Sequence, residues 1–197
     1  MLRRVNRPTL LVLLALTAGC PFIPVVTTDA GTDSGTPGDG GTGGSLGNDA
    51  GFGAPITAAN ETWTYVDFPD AKCGNGTTTG IAVNLTTRSS RLVLYLQGGG
   101  ACWDAATCYI LKSASHLEET VQEATALSEA RALPYLFDRT NPANPFRDAS
   151  FIYVPYCTGD VHFGTHVDAM VHGVATPQQF VGYRNMQKFI ARIVPTF

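Results

Sequence analysis

Gly98, Gly99 and Gly100 follow an apolar run, Leu92 to Leu96, which Gln97 ends. Three successive glycines at the close of a buried strand narrow the chemistry to a few possibilities. They allow a tight turn and a close approach of another stretch of backbone. They do not match a phosphate-binding loop, which needs a lysine and a serine or threonine at fixed spacing, nor a dinucleotide fingerprint. They do suit a row of backbone N–H donors aimed at an oxygen that turns negative during acyl transfer, because a Cβ there would crowd the carbonyl under attack.

Acyl transfer also requires a nucleophile and a base. The G-x-S-x-G match at Gly43 to Gly47 surrounds Ser45, but neither a strand nor a helix flanks it, and the motif works only on a strained strand-to-helix turn. Ser113, Ser115, Ser128 and Ser150 lack elbow glycines. Of four histidines, His116 lies in helical sequence, while His162, His166 and His172 follow a second buried strand. Alternation would place Asp160, His162, His166 and Asp168 on one face of an extended segment, a metal-ligand pattern that Gly164 and Thr165 interrupt. The plainer reading is a polar loop and hairpin beside a cleft, with no metal and no cofactor.

The elements that must position these residues follow from periodicity. Thr62 to Phe68 alternates and is rich in aromatic and β-branched residues, and Ile81 to Leu85 returns after the turn residues Gly74, Asn75 and Gly76, which predicts an antiparallel hairpin. Leu92–Leu96 and Phe151–Val154 are apolar on both faces, as central strands covered on both sides must be. Asp104 to about Leu133 predicts two helical pieces broken near Ser113 to His116, and Pro134, Pro142 and Pro145 punctuate a long loop. Thr176, Pro177 and Gln179 have the spacing of a helix start, and Phe180, Tyr183, Met186 or Gln187, Ile190 and Val194 recur on one helical face, which predicts a helix over 177–194. The order gives an α/β fold: a mostly parallel sheet with an antiparallel edge hairpin, flanked by helices.

The ends of the chain have a different composition. Residues 1–20 read as a lipoprotein signal peptide: Arg3, Arg4 and Arg7 precede an apolar core, Leu10 to Leu16, too short to span a bilayer, and small residues lead to Cys20 as the lipid-bearing position. Residues 21–58 form a disordered Gly/Thr/Asp-rich linker that cannot bury enough apolar surface to fold. Residues 59–197 form the folded part. The formal net charge is −3, it becomes more negative once the three leader arginines are removed, and no basic stripe exists, so nucleic acid is excluded as a partner. The expected setting is an exported bacterial protein, anchored to the membrane through lipid at the cell envelope or surface. With Cys20 set aside, Cys73, Cys102, Cys108 and Cys157 form an even set for an oxidising compartment, with three possible pairings. The six-residue separation of Cys102 and Cys108 suits a short closed loop, which leaves Cys73 with Cys157.

"LYLQGGGACWDAATC", "NPFRDASFIYVPYCTGDVHFGTH" and "KCGNGTTTG" together resemble the pectin acetylesterase and Notum family of carboxylesterases, over about residues 61 to 194. The resemblance implies an α/β-hydrolase fold and ester hydrolysis by a Ser, Asp, His triad, with the amides of Gly99 and Gly100 as the oxyanion hole. Trp103, Tyr156, Asp160 and His162, within or beside these motifs, are expected to line the substrate pocket. The substrate implied is an acyl or acetyl ester, on a polysaccharide in one reading. Gln97, Gly100 and Ala101 depart from the family's usual acidic and aromatic residues, which bears on acyl preference. The family's nucleophile follows the helix predicted at 177–194, so the expectation is an incomplete α/β-hydrolase sheet, cut before the nucleophile and inactive as written. The alternative is a non-catalytic surface lipoprotein that binds a glycan or a protein.

Overall fold

The computed structural model describes residues 10–14 and 52–197; Cys20, Ser45 and nearly all of the linker lie outside them. Five strands form one sheet: β1 (Leu10–Leu14), β2 (Thr64–Lys72), β3 (Thr78–Asn84), β4 (Leu92–Leu96) and β5 (Ser150–Val154), in the order β1-β4-β5-β3-β2. β4 runs parallel to β1 and to β5, and β3 pairs antiparallel with β5 and with β2. The apolar core of the expected leader thus supplies, as β1, a neighbour for the outer edge of β4. A parallel half therefore carries an antiparallel hairpin, β2–β3, at its far edge.

Residues alternate across the central strands and fill two different cores. Ile81, Val83, Leu92, Leu94, Ile152 and Val154 meet one layer, with Phe189 and Ile193 of α3 (Gly182–Ile193). Ala82, Val93, Tyr95, Phe151 and Tyr153 meet the other, with Ala126 and Ala130 of α1 (Glu123–Arg131) and Phe137 of α2 (Pro134–Phe137). Burial on both faces is why these strands read as unbroken apolar runs rather than as alternating ones.

One helix expectation holds and one needs correction. Between Asp104 and Leu133 there are two helical pieces, a π-helical turn, Ala106–Ile110, and α1, with a wider break than expected, over 111–122. Lys112 and His116 between them take left-handed backbone (φ 47° and 53°), which ends helical hydrogen bonding. The helix predicted to start at Pro177 starts at Gly182, because Gln178–Phe180 is a strand, β7, paired with β6 (His166–Ala169). Tertiary contacts override the local capping pattern: Gln178 is buried and its Oε1 accepts from the Tyr109 hydroxyl at 2.6 Å, while the Gln179 N–H donates to Gly74 O at 2.8 Å. The buried face of α3 is accordingly Asn185, Phe189 and Ile193, whereas Tyr183 is 39% exposed.

Phe189 packs edge-on against Phe68 with ring centroids 4.8 Å apart. Phe189→Ala is expected to cost about 3–5 kcal/mol in denaturant unfolding, and Tyr183→Ala less than about 1 kcal/mol. Similar losses for both would restore the face read from the sequence.

Candidate active site

β4 and β5 end side by side, Leu96 opposite Val154, and the Gln97 N–H extends the ladder to Val154 O at 3.0 Å. Beyond this point both chains leave the sheet, since Pro155 has no N–H to offer and the glycines turn away. The carboxyl ends of adjacent parallel strands are where open α/β sheets form a crevice.

The glycine loop is tied down through its carbonyls. Gly99 O accepts from Ser115 N (2.8 Å), Gly100 O from the Tyr156 hydroxyl (2.6 Å) and Ala101 O from the Ser113 hydroxyl (2.8 Å). In a trans peptide the N–H of the next residue points opposite the carbonyl. Anchoring the Gly99 and Gly100 carbonyls therefore sets the directions of the Gly100 and Ala101 N–H groups. Neither of these, nor the Gly99 N–H, has a hydrogen-bond partner among the described residues. Gly100 has φ +78°, and a Cβ on it would run into the Ser113 carbonyl oxygen. A Cβ on Gly99 would come within 2.5 Å of the Ser115 hydroxyl and of the Tyr156 ring. Only glycine fits these two positions.

Two disulfides brace the loop. Cys102–Cys108 closes the turn that follows the glycines, and Cys73–Cys157 joins the β2–β3 turn to the segment after β5. Both agree with an oxidising compartment.

The four residues expected to line a pocket divide by burial. Trp103 is 68% exposed, and Ile110, Leu111 and Phe163 are exposed as well. Tyr156 is 1% exposed and lies beneath the loop rather than on a wall. Its hydroxyl accepts from Val161 N at 2.7 Å while donating to Gly100, and burial pushes its pKa to about 12, so it stays protonated. The Asp160 carboxylate is occupied by the Thr158 hydroxyl (2.6 Å) and by the N–H groups of His162 (3.1 Å), Gly164 (3.2 Å) and Gly182 (2.7 Å). The last of these caps α3, a contact no local pattern announces. His162 donates from Nε2 to Gln97 O at 2.9 Å and lies against the Tyr156 ring; burial lowers its pKa, which favours the neutral ring. Asp160, His162, His166 and Asp168 do not converge: among the described residues no group of three or more His, Cys, Asp or Glu side chains is placed to hold a metal ion.

Behind the loop lies a polar cluster that no sequence pattern announces. Gln97 Oε1 accepts from Tyr156 N at 2.8 Å, and Gln97 Nε2 donates to Glu129 Oε1 at 3.1 Å. The Tyr153 hydroxyl donates to Glu129 Oε2 at 2.9 Å, and His116 pairs with Glu129 at 2.6 Å and with Glu119 at 2.8 Å. His116 lies outside α1 while Glu129 lies within it, so no helical spacing links them and tertiary folding alone makes the contact.

The family model for pectinacetylesterases matches residues 57–196. The chain belongs to the pectinacetylesterase family. Palmitoleoyl-protein carboxylesterase notum2 of Xenopus laevis is 29% identical over 131 residues, which is 62% of this chain and 24% of that protein. The chain thus spans about a quarter of the length of that curated relative. The Drosophila Wnt deacylase Notum has a similar fold: one crystal form superposes with a TM-score of 0.50 at 19% identity, covering 69% of this chain and 38% of that one. A second crystal form gives a TM-score of 0.48 over 68% and 37%.

In this family member the His116–Glu129 pair has a pH signature. The Glu129 hydrogen bond outweighs burial and, with Glu119, raises the His116 pKa from 6.5 to about 9. Burial opposes ionisation of Glu129, but hydrogen bonds from His116 and Tyr153 hold its pKa below the usual carboxylate value. The raised histidine stabilises the fold fully below pH 6.5 and loses that contribution as pH rises through about 9. The lowered Glu129 contributes above its ordinary value of 4.5 and loses that as pH falls. Solvent reaches part of the pair and screens it, so unfolding free energy is expected to drop by on the order of 1–2 kcal/mol across the alkaline window. His116→Gln is expected to flatten that drop. An unchanged alkaline slope in the variant would rule the pair out as its source.

Proposed function

We propose that this chain supplies the oxyanion side of a serine carboxylesterase site that cleaves acyl or acetyl esters. The observation that carries the reading is the row of unpartnered N–H groups, two of them aimed by anchored carbonyls. In ester cleavage a serine oxygen attacks the carbonyl carbon as a base takes its proton, to be handed on to the leaving alcohol, and the π electrons move onto the carbonyl oxygen. Gly100 and Ala101, with Gly99 beside them, donate to that oxyanion. Collapse expels the alcohol, which takes a proton, and water releases the acid from the acyl-serine by the same two steps. Each such donor is worth about 10²- to 10³-fold in kcat.

Among the described residues no serine hydroxyl hydrogen-bonds to a histidine. In this reading the nucleophile and its base lie outside the described residues, and the described part is inactive by itself. Lipid attachment at Cys20, anchoring at the envelope and a polysaccharide ester rest on the sequence reading alone. Exposure of Trp103, Ile110, Leu111 and Phe163 favours the second reading, a non-catalytic surface protein that grips a glycan or a protein through these side chains.

The purified chain is expected to show no p-nitrophenyl acetate turnover and no serine labelled by a fluorophosphonate. Appending the nucleophile-bearing part of a family member after Phe197 is expected to restore turnover. In that fusion Gly100→Ala should lower kcat by roughly 10²- to 10³-fold with little change in KM. Turnover unaffected by Gly100→Ala in a folded fusion would refute the oxyanion assignment.

A further inference from the structure

We propose that Gln97 is a positioning residue for the glycine loop: its side-chain amide stands in for its own main-chain carbonyl at the end of the sheet, and Glu129 holds that amide the right way round. Its use in ester cleavage rests on the reading above; the exchange of hydrogen bonds does not.

The strand register makes the exchange visible. Leu96 lies opposite Val154, so Gln97 lies opposite Pro155. In a parallel ladder a residue in that place gives its N–H to the residue before its opposite number, and its C=O accepts from the residue after it. The first bond is present, from Gln97 N to Val154 O at 3.0 Å. The second would join Tyr156 N to Gln97 O, but Tyr156 N donates instead to Gln97 Oε1 at 2.8 Å. The main-chain oxygen released in this way accepts from His162 Nε2 at 2.9 Å. A trans peptide sets its C=O and N–H in opposite directions, so the His162 contact also fixes where the Gly98 N–H points. The chain thus turns out of the sheet one residue before the glycines, with every polar group of Gln97 and the Tyr156 N–H still paired.

The amide does this in one orientation only. The Tyr156 N–H can only donate and an ionised Glu129 can only accept, so Oε1 faces the first and Nε2 the second, 3.1 Å from Glu129 Oε1. A flipped amide would set donor against donor and oxygen against carboxylate. Glu129 is held in turn by the Tyr153 hydroxyl at 2.9 Å and by His116 at 2.6 Å. A glutamate at position 97 could still accept from Tyr156 N, but it would lay a second carboxylate against Glu129. The pair therefore requires one amide and one acid, in either arrangement. Methionine, similar in length, offers neither group. The main-chain carbonyl of residue 97 would then return to Tyr156 N as in an ordinary ladder, His162 would lose its acceptor, and the loop would be drawn back toward the sheet.

The test is nuclear magnetic resonance on the isotope-labelled 197-residue chain, with turnover measured in the esterase fusion. The His162 Nε2 proton is expected to exchange slowly with solvent. In Gln97→Met it is expected to exchange at least about tenfold faster, with shifted amide signals from Gly98 to Ala101 and unshifted ones in the β2–β3 hairpin. Gln97→Glu is expected to show the same loss, and Gln97→Glu combined with Glu129→Gln to restore the wild-type signals. In the fusion Gln97→Met should lower kcat by roughly 10- to 10²-fold at nearly constant KM, and the double variant should recover most of it. Unchanged signals in Gln97→Met, a Gln97→Glu variant indistinguishable from wild type, or a folded double variant no better than Gln97→Glu alone would each overturn the proposal. Should Gln97→Met fail to fold, the comparison of Gln97→Glu with the double variant decides. A fusion without turnover would remove the ester reading and leave the resonance result standing, whereas a shifted loop with unchanged kcat would overturn the positioning role.

Discussion

The Tyr156 hydroxyl lies between two backbone groups that neither sheet nor helix satisfies. It accepts from Val161 N and donates to Gly100 O, in a site so buried that an unpaired polar atom would cost on the order of 1–3 kcal/mol. Because one oxygen serves both strands of chain, the loop after β4 and the loop after β5 are held in one geometry. The direction of the Ala101 N–H, the exposure of Gly100 and the packing of His162 against the ring all follow from that placement. A phenol suits this position, because burial drives its pKa further from neutrality and the donor is kept at any physiological pH.

A second layer of polar contacts steadies the strand that leads into the loop. Gln97 uses both ends of its amide, one on Tyr156 N and one on Glu129, so the carboxylate behind the sheet reaches the site through a single side chain. The charge on Glu129 is balanced by His116, and the Tyr153 hydroxyl completes its coordination. Preorganised donors need such support, since a loop free to rotate its peptides would spend binding energy on ordering them.

What the sequence discloses and what it hides differ in range. Leu92–Leu96 and Phe151–Val154 are legible because burial on both faces removes charged and strongly polar residues from a strand, a constraint written in composition. The glycines are legible because steric exclusion of Cβ leaves one residue type. The start of α3 is hidden, since Thr176, Pro177 and Gln179 carry a capping pattern while the deciding contacts, to Tyr109 and Gly74, are distant in sequence. Tyr156 reads as a wall residue because an aromatic beside a cleft looks the same from either side of the backbone. The His116–Glu129 pair and the Asp160 cap of Gly182 join residues that no periodicity links.

Asp160 also ties the helix to the floor of the crevice. One oxygen of its carboxylate holds the first N–H of α3, the other holds His162 N, and His162 in turn holds the Gln97 carbonyl. Helix entry, loop and strand end are consequently linked in series, so α3 cannot tilt without dragging the backbone that precedes the glycines. Such a floor is stiff, and accommodation of differently shaped ligands falls to exposed side chains such as Trp103, Ile110 and Leu111, which project into solvent.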